Sequence, residues 1–143
     1  MSVAYADVPV GHAGDFYRAT GDLIPAAVTV YLGNVPKTPT FPYAVLWGSL
    51  GDEVSESLED IPDELRLNLR VTYVGLTFAQ VAWVASKVRP ALNRAKPYVH
   101  GWVTGRLRQA SLMDVQTDFS VTLTDGAHPV YAVDEFALIA DKL

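Results

Sequence analysis

A strict alternation of apolar and polar residues marks one long strand near the middle of the chain. Leucine, valine or tyrosine occupies every second position from 65 to 73, and polar residues fill the positions between them. Successive side chains of a strand point to opposite faces, so this spacing predicts a strand over residues 65–74 with one dry face. The other face carries Arg66 and Arg70.

A helical pattern follows directly. Gly75 ends the alternation, and Thr77 precedes Gln80 by three residues, the spacing of a reciprocal cap at a helix N-terminus. Apolar residues then recur at helical spacing and predict one buried stripe, formed by Val81, Val84, Ala85, Val88, Leu92 and Ala95. Trp83 lies off that stripe, so we expect it on the helix surface, where it is the best single candidate for a contact between subunits.

The remaining patterns predict a second helix and five further strands. The helix covers residues 13–22, and the strands cover residues 28–32, 43–50, 102–107, 115–123 and 130–139. Strand 43–50 is apolar on both faces, which is typical of a central strand and places Trp47 in the core. Asp125 and Gly126 give a turn signal that joins the last two strands in a hairpin. The fold class expected is α+β, with a single mainly antiparallel or mixed sheet of about six strands and two helices packed on it.

Length and composition fit one domain, within which the acidic residues cluster. At 143 residues and 50% hydrophobic content, we expect residues 1–143 to fold as a unit, with an irregular N-terminal arm over residues 1–12. Seven of the 16 acidic residues lie within 13 positions: Asp52, Glu53, Glu56, Glu59, Asp60, Asp63 and Glu64. Like charges at this density repel one another, so segment 51–64 is predicted to be an exposed loop or hairpin tip.

Charge and missing residue types count against several classes of function. The net charge of −5 disfavours a general nucleic-acid binder, because affinity for phosphate backbones comes mainly from lysine and arginine. Without cysteine, neither a disulfide nor a thiolate metal site can form. No run approaches the roughly 18 apolar residues of a membrane-spanning helix, and the first residues lack a signal-peptide pattern. We therefore expect a soluble, unexported chain. Its 50% hydrophobic content is more than a monomer of this size must bury, so we also expect it to self-associate.

The sequence carries no recognisable catalytic or metal-binding motif. His12, His100 and His128 are not spaced as ligands on one helix, and the phosphate-binding glycine loops and the nucleophile elbow are missing. The acidic segment has too few apolar residues to form the dry pocket of a catalytic carboxyl, and it lacks the calcium-loop arrangement. We expect no catalytic residue, no metal and no cofactor.

Arginines on strands are the other candidates for a functional surface. Arg66 and Arg70 on the polar strand face, together with Arg106 and Arg108 later in the chain, can form a basic stripe on the sheet. Arginine suits ion pairs at protein interfaces, and the chain is acidic overall, so we favour a subunit or partner interface over nucleic-acid binding.

Four segments, taken in order, resemble the tail terminator proteins of long-tailed, non-contractile bacteriophages, also called tail completion or minor tail proteins, especially those of actinobacteriophages. The segments are residues 41–47 (FPYAVLW), 69–75 (LRVTYVG), 80–92 (QVAWVA leading into KVRPAL) and 131–136 (YAVDEF). The likeness covers about residues 13–140, and it rests on the order of the elements more than on any one motif.

This resemblance implies a non-enzymatic virion protein at the head–tail junction, made in the host cytoplasm. Such a protein forms a hexameric ring that caps the tail tube, ends its polymerisation and joins the tail to the head completion (stopper) protein. Genomic DNA passes through the ring without specific binding, and no membrane, catalytic residue or cofactor is involved. The acidic segment then either faces the channel, where it repels DNA phosphates, or docks on the tail tube protein.

Three other interpretations stay open from the sequence. A head completion protein of the same connector also forms rings and also lacks catalytic chemistry. A small α+β enzyme requires an Asp and a His that the fold brings together from distant positions. A regulatory binding domain is the third alternative.

Overall fold

The computed structural model describes residues 3–4, 12–49, 52–54, 64–112 and 114–143. Within them, two helices form, α1 (His12–Leu23) and α2 (Phe78–Leu92). The strands are β1 (Val3–Ala4), β2 (Thr29–Leu32), β3 (Tyr43–Gly48), β4 (Asp52–Val54), β5 (Glu64–Gly75), β6 (Trp102–Thr104), β7 (Arg108–Leu112), β8 (Gln116–Thr117) and β9 (Val130–Lys142). Neither of these helices is both long and apolar enough to cross a membrane.

The strands described here belong to one mixed sheet. The order β1-β2-β3-β5-β9-β6 forms its continuous path, and β4, β7 and β8 pair beside that path. The first three strands of the path are parallel to one another, whereas the other pairings are antiparallel. The predicted fold class, a mixed sheet of about six strands with two helices, is confirmed.

The two longest strands form the centre of the sheet. β5 and β9 pair continuously from Glu64 opposite Asp141 to Gly75 opposite Val130. The predicted dry face of β5 is confirmed, since its buried side chains are Leu65, Leu67, Leu69, Val71 and Tyr73. Residues directly opposite one another on paired strands share a face, so Phe136 of β9, opposite Leu69, extends this dry face.

Both helices cover the dry face, and within the described residues neither helix lies on the other face of the sheet. α2 buries five members of the predicted stripe, Val81, Val84, Ala85, Val88 and Leu92, whereas Ala95 lies beyond the helix. α1 contributes Phe16, whose ring meets the ring of Trp102 edge-on at 5.5 Å. We call the uncovered side, which carries Arg66, Arg70 and Thr72, the open face.

The N-terminus of α2 is capped by Thr77 as predicted, with one difference. The Thr77 hydroxyl accepts a hydrogen bond from the backbone N–H of Gln80 at 3.2 Å. The Gln80 side chain does not return to Thr77 but accepts from the backbone N–H of Leu76 at 2.7 Å. Gln80 packs closely over Gly75, where an added Cβ would lie 2.7 Å from the Gln80 Cβ, and this close packing sets its amide oxygen beside Leu76.

The predicted strand 115–123 is wrong beyond the short strand β8. At Asp118 the carboxylate accepts hydrogen bonds from both the backbone N–H and the hydroxyl of Ser120. Such a local turn competes with pairing to a neighbouring strand, so the chain leaves the sheet there. The turn predicted at Asp125 and Gly126 is present, with Gly126 at a φ of +84°.

Three short strands fill the far edge of β9, where the pattern predicts two longer ones. β6, β7 and β8 pair with successive parts of β9. The strand predicted over 102–107 ends at Thr104, because the backbone N–H of Leu107 donates to the carbonyl of Ala95 at 2.8 Å. The alternation does not predict β7, whose register shifts between Gln109 and Ser111.

Two predicted segments lie largely outside the described residues. Of the arm over residues 1–12, β1 is described, and it pairs with Val30 and Tyr31 of β2. Of the acidic segment 51–64, β4 is described, paired antiparallel with the first residues of β5. Strand β3 ends at Gly48, and Leu50, the last residue of the predicted strand, is also outside the described residues.

Candidate assembly surfaces

A buried carboxylate fixes α2 to the centre of the sheet. Asp134 of β9 is fully buried and accepts hydrogen bonds from Arg89 of α2, at 2.7 Å from Nε and 3.0 Å from Nη2. The hydroxyl of Tyr73 of β5 donates to the same carboxylate at 2.5 Å. Two-pronged pairing of this kind neutralises a buried charge and fixes its geometry. The network therefore holds one helix and two strands in a single arrangement.

The network also perturbs the groups that form it. Burial, followed by the hydrogen bond to Asp134, raises the pKa of Tyr73. The hydrogen bond to Asp134 raises the pKa of Arg89. The three residues come from three of the segments that carry the family resemblance, 69–75, 80–92 and 131–136. None of the three is singled out by the sequence patterns, although Asp134 occupies an inward position of an otherwise apolar strand.

Raising the pH above about 10 is expected to destabilise the fold. Tyr17 donates to the backbone carbonyl of Ser49 at 2.7 Å, and burial raises its pKa to about 12, against a smaller lowering by Arg70. Unfolded tyrosine ionises near pH 10, so above that pH the folded chain retains protons that the unfolded chain releases. This contribution to stability is complete below about pH 10 and is lost as the pH rises towards 12.

Denaturant unfolding at pH 9, 10 and 11 measures this dependence. We expect the free energy of unfolding to fall with pH more steeply in the natural chain than in a Tyr17→Phe variant, because phenylalanine does not titrate. Equal slopes for the two proteins would contradict the assignment to Tyr17.

Two of the predicted arginines form ion pairs on the open face. Arg66 Nε lies 2.7 Å from Glu64 Oε1, its neighbour on the same strand. Arg70 Nε lies 3.4 Å from Glu135 Oε1 of β9. Both arginines are substantially exposed, and surface pairs of this kind contribute little to stability. Exchanging these pairs for pairs with another subunit would therefore cost little stability.

Trp47 is a surface residue, and its predicted core position is wrong. Its side chain is 38% exposed on the open face, and its indole N–H donates to the hydroxyl of Thr72 at 2.8 Å. The guanidinium carbon of Arg70 lies 5.1 Å from the centre of its ring. β3 is a central strand as predicted, but helices cover only one of its faces, so a side chain on the other face stays accessible.

The predicted arginines do not form one stripe. Arg108 of β7 stands opposite Ala137 of β9, which in turn stands opposite Asn68, so Arg108 shares the open face with Arg66 and Arg70. Arg106 lies between β6 and β7, and its Nη1 donates to the backbone carbonyl of Arg94 at 2.9 Å. The structure thus brings together three of the four arginines, whereas Arg106 supports the loop after α2.

The outward side of α2 is also apolar. Phe78 is 66% exposed and Trp83 is 40% exposed, which agrees with the position of Trp83 off the buried stripe. The other outward residues are small or apolar, namely Ala79, Ala82, Ser86 and Pro90, and the helix has only two charged residues, Lys87 and Arg89. This face and the arginines of the open face lie in different layers of the domain.

A groove opens at one end of the open face. Its volume is about 660 Å³ and its floor includes a row of side chains across three paired strands, Tyr43, Val74 and Tyr131. Residues 37–41 and residues 118–124 contribute to its two walls. Phe41 adds a further ring, 5.4 Å from the ring of Tyr43. We call this feature the aromatic groove after these rings. The sequence patterns of its two walls do not indicate it.

The part of the chain that the structure describes contains no group of three or more His, Asp or Glu side chains placed to hold a metal ion. His100 and His128 lie in separate surface loops. The side chain of His12 falls outside the described ones.

Comparison with solved structures shows a similar fold in a virion. No protein-family model matches the chain, and no curated protein matches it. A chain in the structure "Virion of native gene transfer agent (GTA) particle" is similar in fold, with a TM-score of 0.54 and 15% sequence identity. The match covers 94% of this chain and 98% of that chain, so it extends over the whole domain. The protein therefore has the fold of a chain found in the virion of a gene transfer agent particle.

Proposed function

We propose that the protein is a structural virion protein that forms a ring on the end of a phage tail tube. The observation that carries this proposal is the fold shared, over 94% of this chain and 98% of that one, with a chain of a gene transfer agent virion. The resemblance of segments 41–47, 69–75, 80–92 and 131–136 to tail terminators supports a position at the head–tail junction.

The proposed ring has six copies, ends polymerisation of the tail tube and binds the head completion protein on its other side. DNA passes through the ring without specific binding. The role needs no catalytic residue, metal, cofactor or membrane contact. A closed ring is built from one patch of each copy meeting a different patch of the next. In this chain the candidates for those patches are Trp83 on α2, the arginines of the open face, Arg66, Arg70 and Arg108, and Arg106 between β6 and β7.

The acidic segment is proposed to face the channel, where its carboxylates repel DNA phosphates. Its members are Asp52, Glu53, Glu56, Glu59, Asp60, Asp63 and Glu64. Replacing Glu56, Glu59 and Asp60 by their amides is expected to leave tube capping intact and to slow DNA release from particles. Defective capping with normal DNA release would instead assign the segment to docking on the tail tube.

Tail length tests the proposed function. Particles assembled without the protein are expected to carry overlong tails in electron micrographs, because nothing ends tube growth. Restoring the intact protein is expected to restore a uniform length. Tails of normal length on heads that leak DNA would contradict the proposal and favour a head completion protein.

A further inference from the structure

We infer that α2 of one copy packs into the aromatic groove of the next copy, with Trp83 as the inserted side chain. This inference rests on the ring proposed above and specifies which two surfaces of the chain meet. Four observations carry it: the apolar outward side of α2, the size and lining of the aromatic groove, their placement on different layers and their charges.

The outward side of α2 has the character of a covered surface. A helix that is apolar on all sides is normally buried on all sides, whereas an exposed helix carries charges on its outer side. α2 exposes Phe78 and Trp83 among small side chains, and Lys87 is the charged residue among its exposed positions. A partner that covers this side removes apolar surface from water.

The aromatic groove has the size and lining to receive such a helix face. Its volume of about 660 Å³ lies in the range of roughly 300–1,000 Å³ that is typical of binding sites. Its floor and walls present Phe41, Tyr43 and Tyr131 with apolar neighbours. Aromatic rings pair favourably edge-to-face or offset, so an indole inserted among these rings gains more than its buried area alone.

The placement of the two surfaces requires contact between different copies. α2 packs on the dry face of the sheet, whereas Tyr43, Val74 and Tyr131 line the groove from the open face. One copy therefore cannot fill its own groove with its own helix. A patch on one layer that meets a different patch on the other layer is a head-to-tail contact, the type that closes into rings.

The charges near α2 are complementary to those of one wall of the groove. Residues 65–113 contain no Asp or Glu but eight of the 11 Lys and Arg residues of the chain. Among these, Lys87, Arg94 and Lys96 follow Trp83 and are exposed, and no carboxylate of the described residues forms an ion pair with them. Lys37 lies in one wall of the groove, whereas the loop of residues 118–125, which includes the other wall, carries Asp118 and Asp125 and no Lys or Arg. Packing α2 against this loop brings opposite charges together.

The same charges disfavour the simplest competing arrangement, in which α2 packs on its own copy across a two-fold axis. That contact would pair two helices that have cations and no acidic residue, and like charges across an interface are unfavourable. It would also leave the aromatic groove empty.

Cysteine cross-linking tests the arrangement cleanly, because the natural chain has no cysteine. Ser86→Cys marks the outward side of α2 and Thr122→Cys marks the wall of the groove, and both positions are exposed. A short bis-maleimide is expected to join an S86C copy to a T122C copy when the two variants are mixed. The double variant is expected to give a ladder of covalent multimers. His100→Cys, on a different surface, is the matched partner for S86C and is expected to give none.

Each outcome is decisive for the inference. Cross-linking of S86C to itself would establish a two-fold contact and overturn it. Rings visible by electron microscopy without S86C–T122C products would overturn it while leaving the ring, and hence the proposed function, intact. A protein that stays monomeric and uncross-linked overturns it as well, whereas tail length still tests the function independently.

A second readout uses Trp83 directly. Trp83→Ala is expected to weaken self-association by about 30-fold, the effect of losing one central aromatic anchor. Tyr98→Ala removes an exposed aromatic ring from a different surface and is expected to change association less than about threefold. Equal losses for the two variants would contradict the role of Trp83, and circular dichroism melting of each variant separates this effect from unfolding.

Discussion

Replacing Arg89 by alanine is expected to lower the free energy of unfolding by about 3 kcal/mol. The change leaves the carboxylate of Asp134 fully buried without its two-pronged partner. Removing one member of a buried ion pair costs about 3–5 kcal/mol, and we take the lower end because the Arg89 side chain is 40% exposed. Urea unfolding followed by circular dichroism measures the loss.

A matched pair of variants separates charge from shape. Arg89→Lys keeps a positive charge but cannot donate from two fixed nitrogens, so we expect an intermediate loss of about 1–2 kcal/mol. Arg89→Ala combined with Asp134→Asn removes both charges and is expected to be less destabilised than Arg89→Ala alone. A double variant less stable than the single one would contradict the view that an unpaired Asp134 charge causes the loss.

Replacing Gly48 by alanine is expected to cost about 3 kcal/mol. Gly48 has a φ of +141°, and a Cβ there would lie 2.4 Å from the carbonyl oxygen of Asn68 and 3.0 Å from the hydroxyl of Tyr17. The first contact is with backbone, which cannot move without breaking the pairing of β3 with β5. The second disturbs the hydrogen bond from Tyr17 to Ser49.

Gly126→Ala is the matched control. Gly126 also has a positive φ, +84°, but a Cβ there would meet no atom within 4 Å. Its substitution is expected to cost only about 1 kcal/mol, the conformational cost alone. Thermal or urea unfolding measures the stability of both variants. Equal losses of stability would show that the close approach at Gly48 does not contribute to the cost of its substitution.

The sequence predicts best where one period continues over many residues. The alternation of β5 and the stripe of α2 each repeat over several positions, and burial in the structure follows both. It fails where contacts between distant residues override a local pattern. Trp47 belongs to an apolar strand but faces a side that neither of the two described helices covers, and the turn at Asp118 ends a strand whose alternation continues to position 123.

Of the candidate surfaces, the sequence likewise predicts those that depend on a local pattern and misses those that depend on contacts between distant residues. Trp83 is identified by its spacing relative to the buried stripe, because helical geometry fixes its direction. The face of Arg66 and Arg70 follows likewise from alternation, whereas the place of Arg108 depends on which strand pairs with β9. The aromatic groove has no local signal, since its walls, residues 37–41 and 118–124, are distant in sequence. The same holds for the pairing of Arg89 with Asp134.

The proposed function requires this chain to form a ring that caps a tail tube. Negative-stain electron microscopy of the purified protein, alone and mixed with growing tail tubes, tests it most directly. We predict six-fold rings in the first sample, and in the second a ring at one end of each tube together with an end to tube growth. Single particles without rings, and tubes that keep growing with bare ends, would contradict the proposed function.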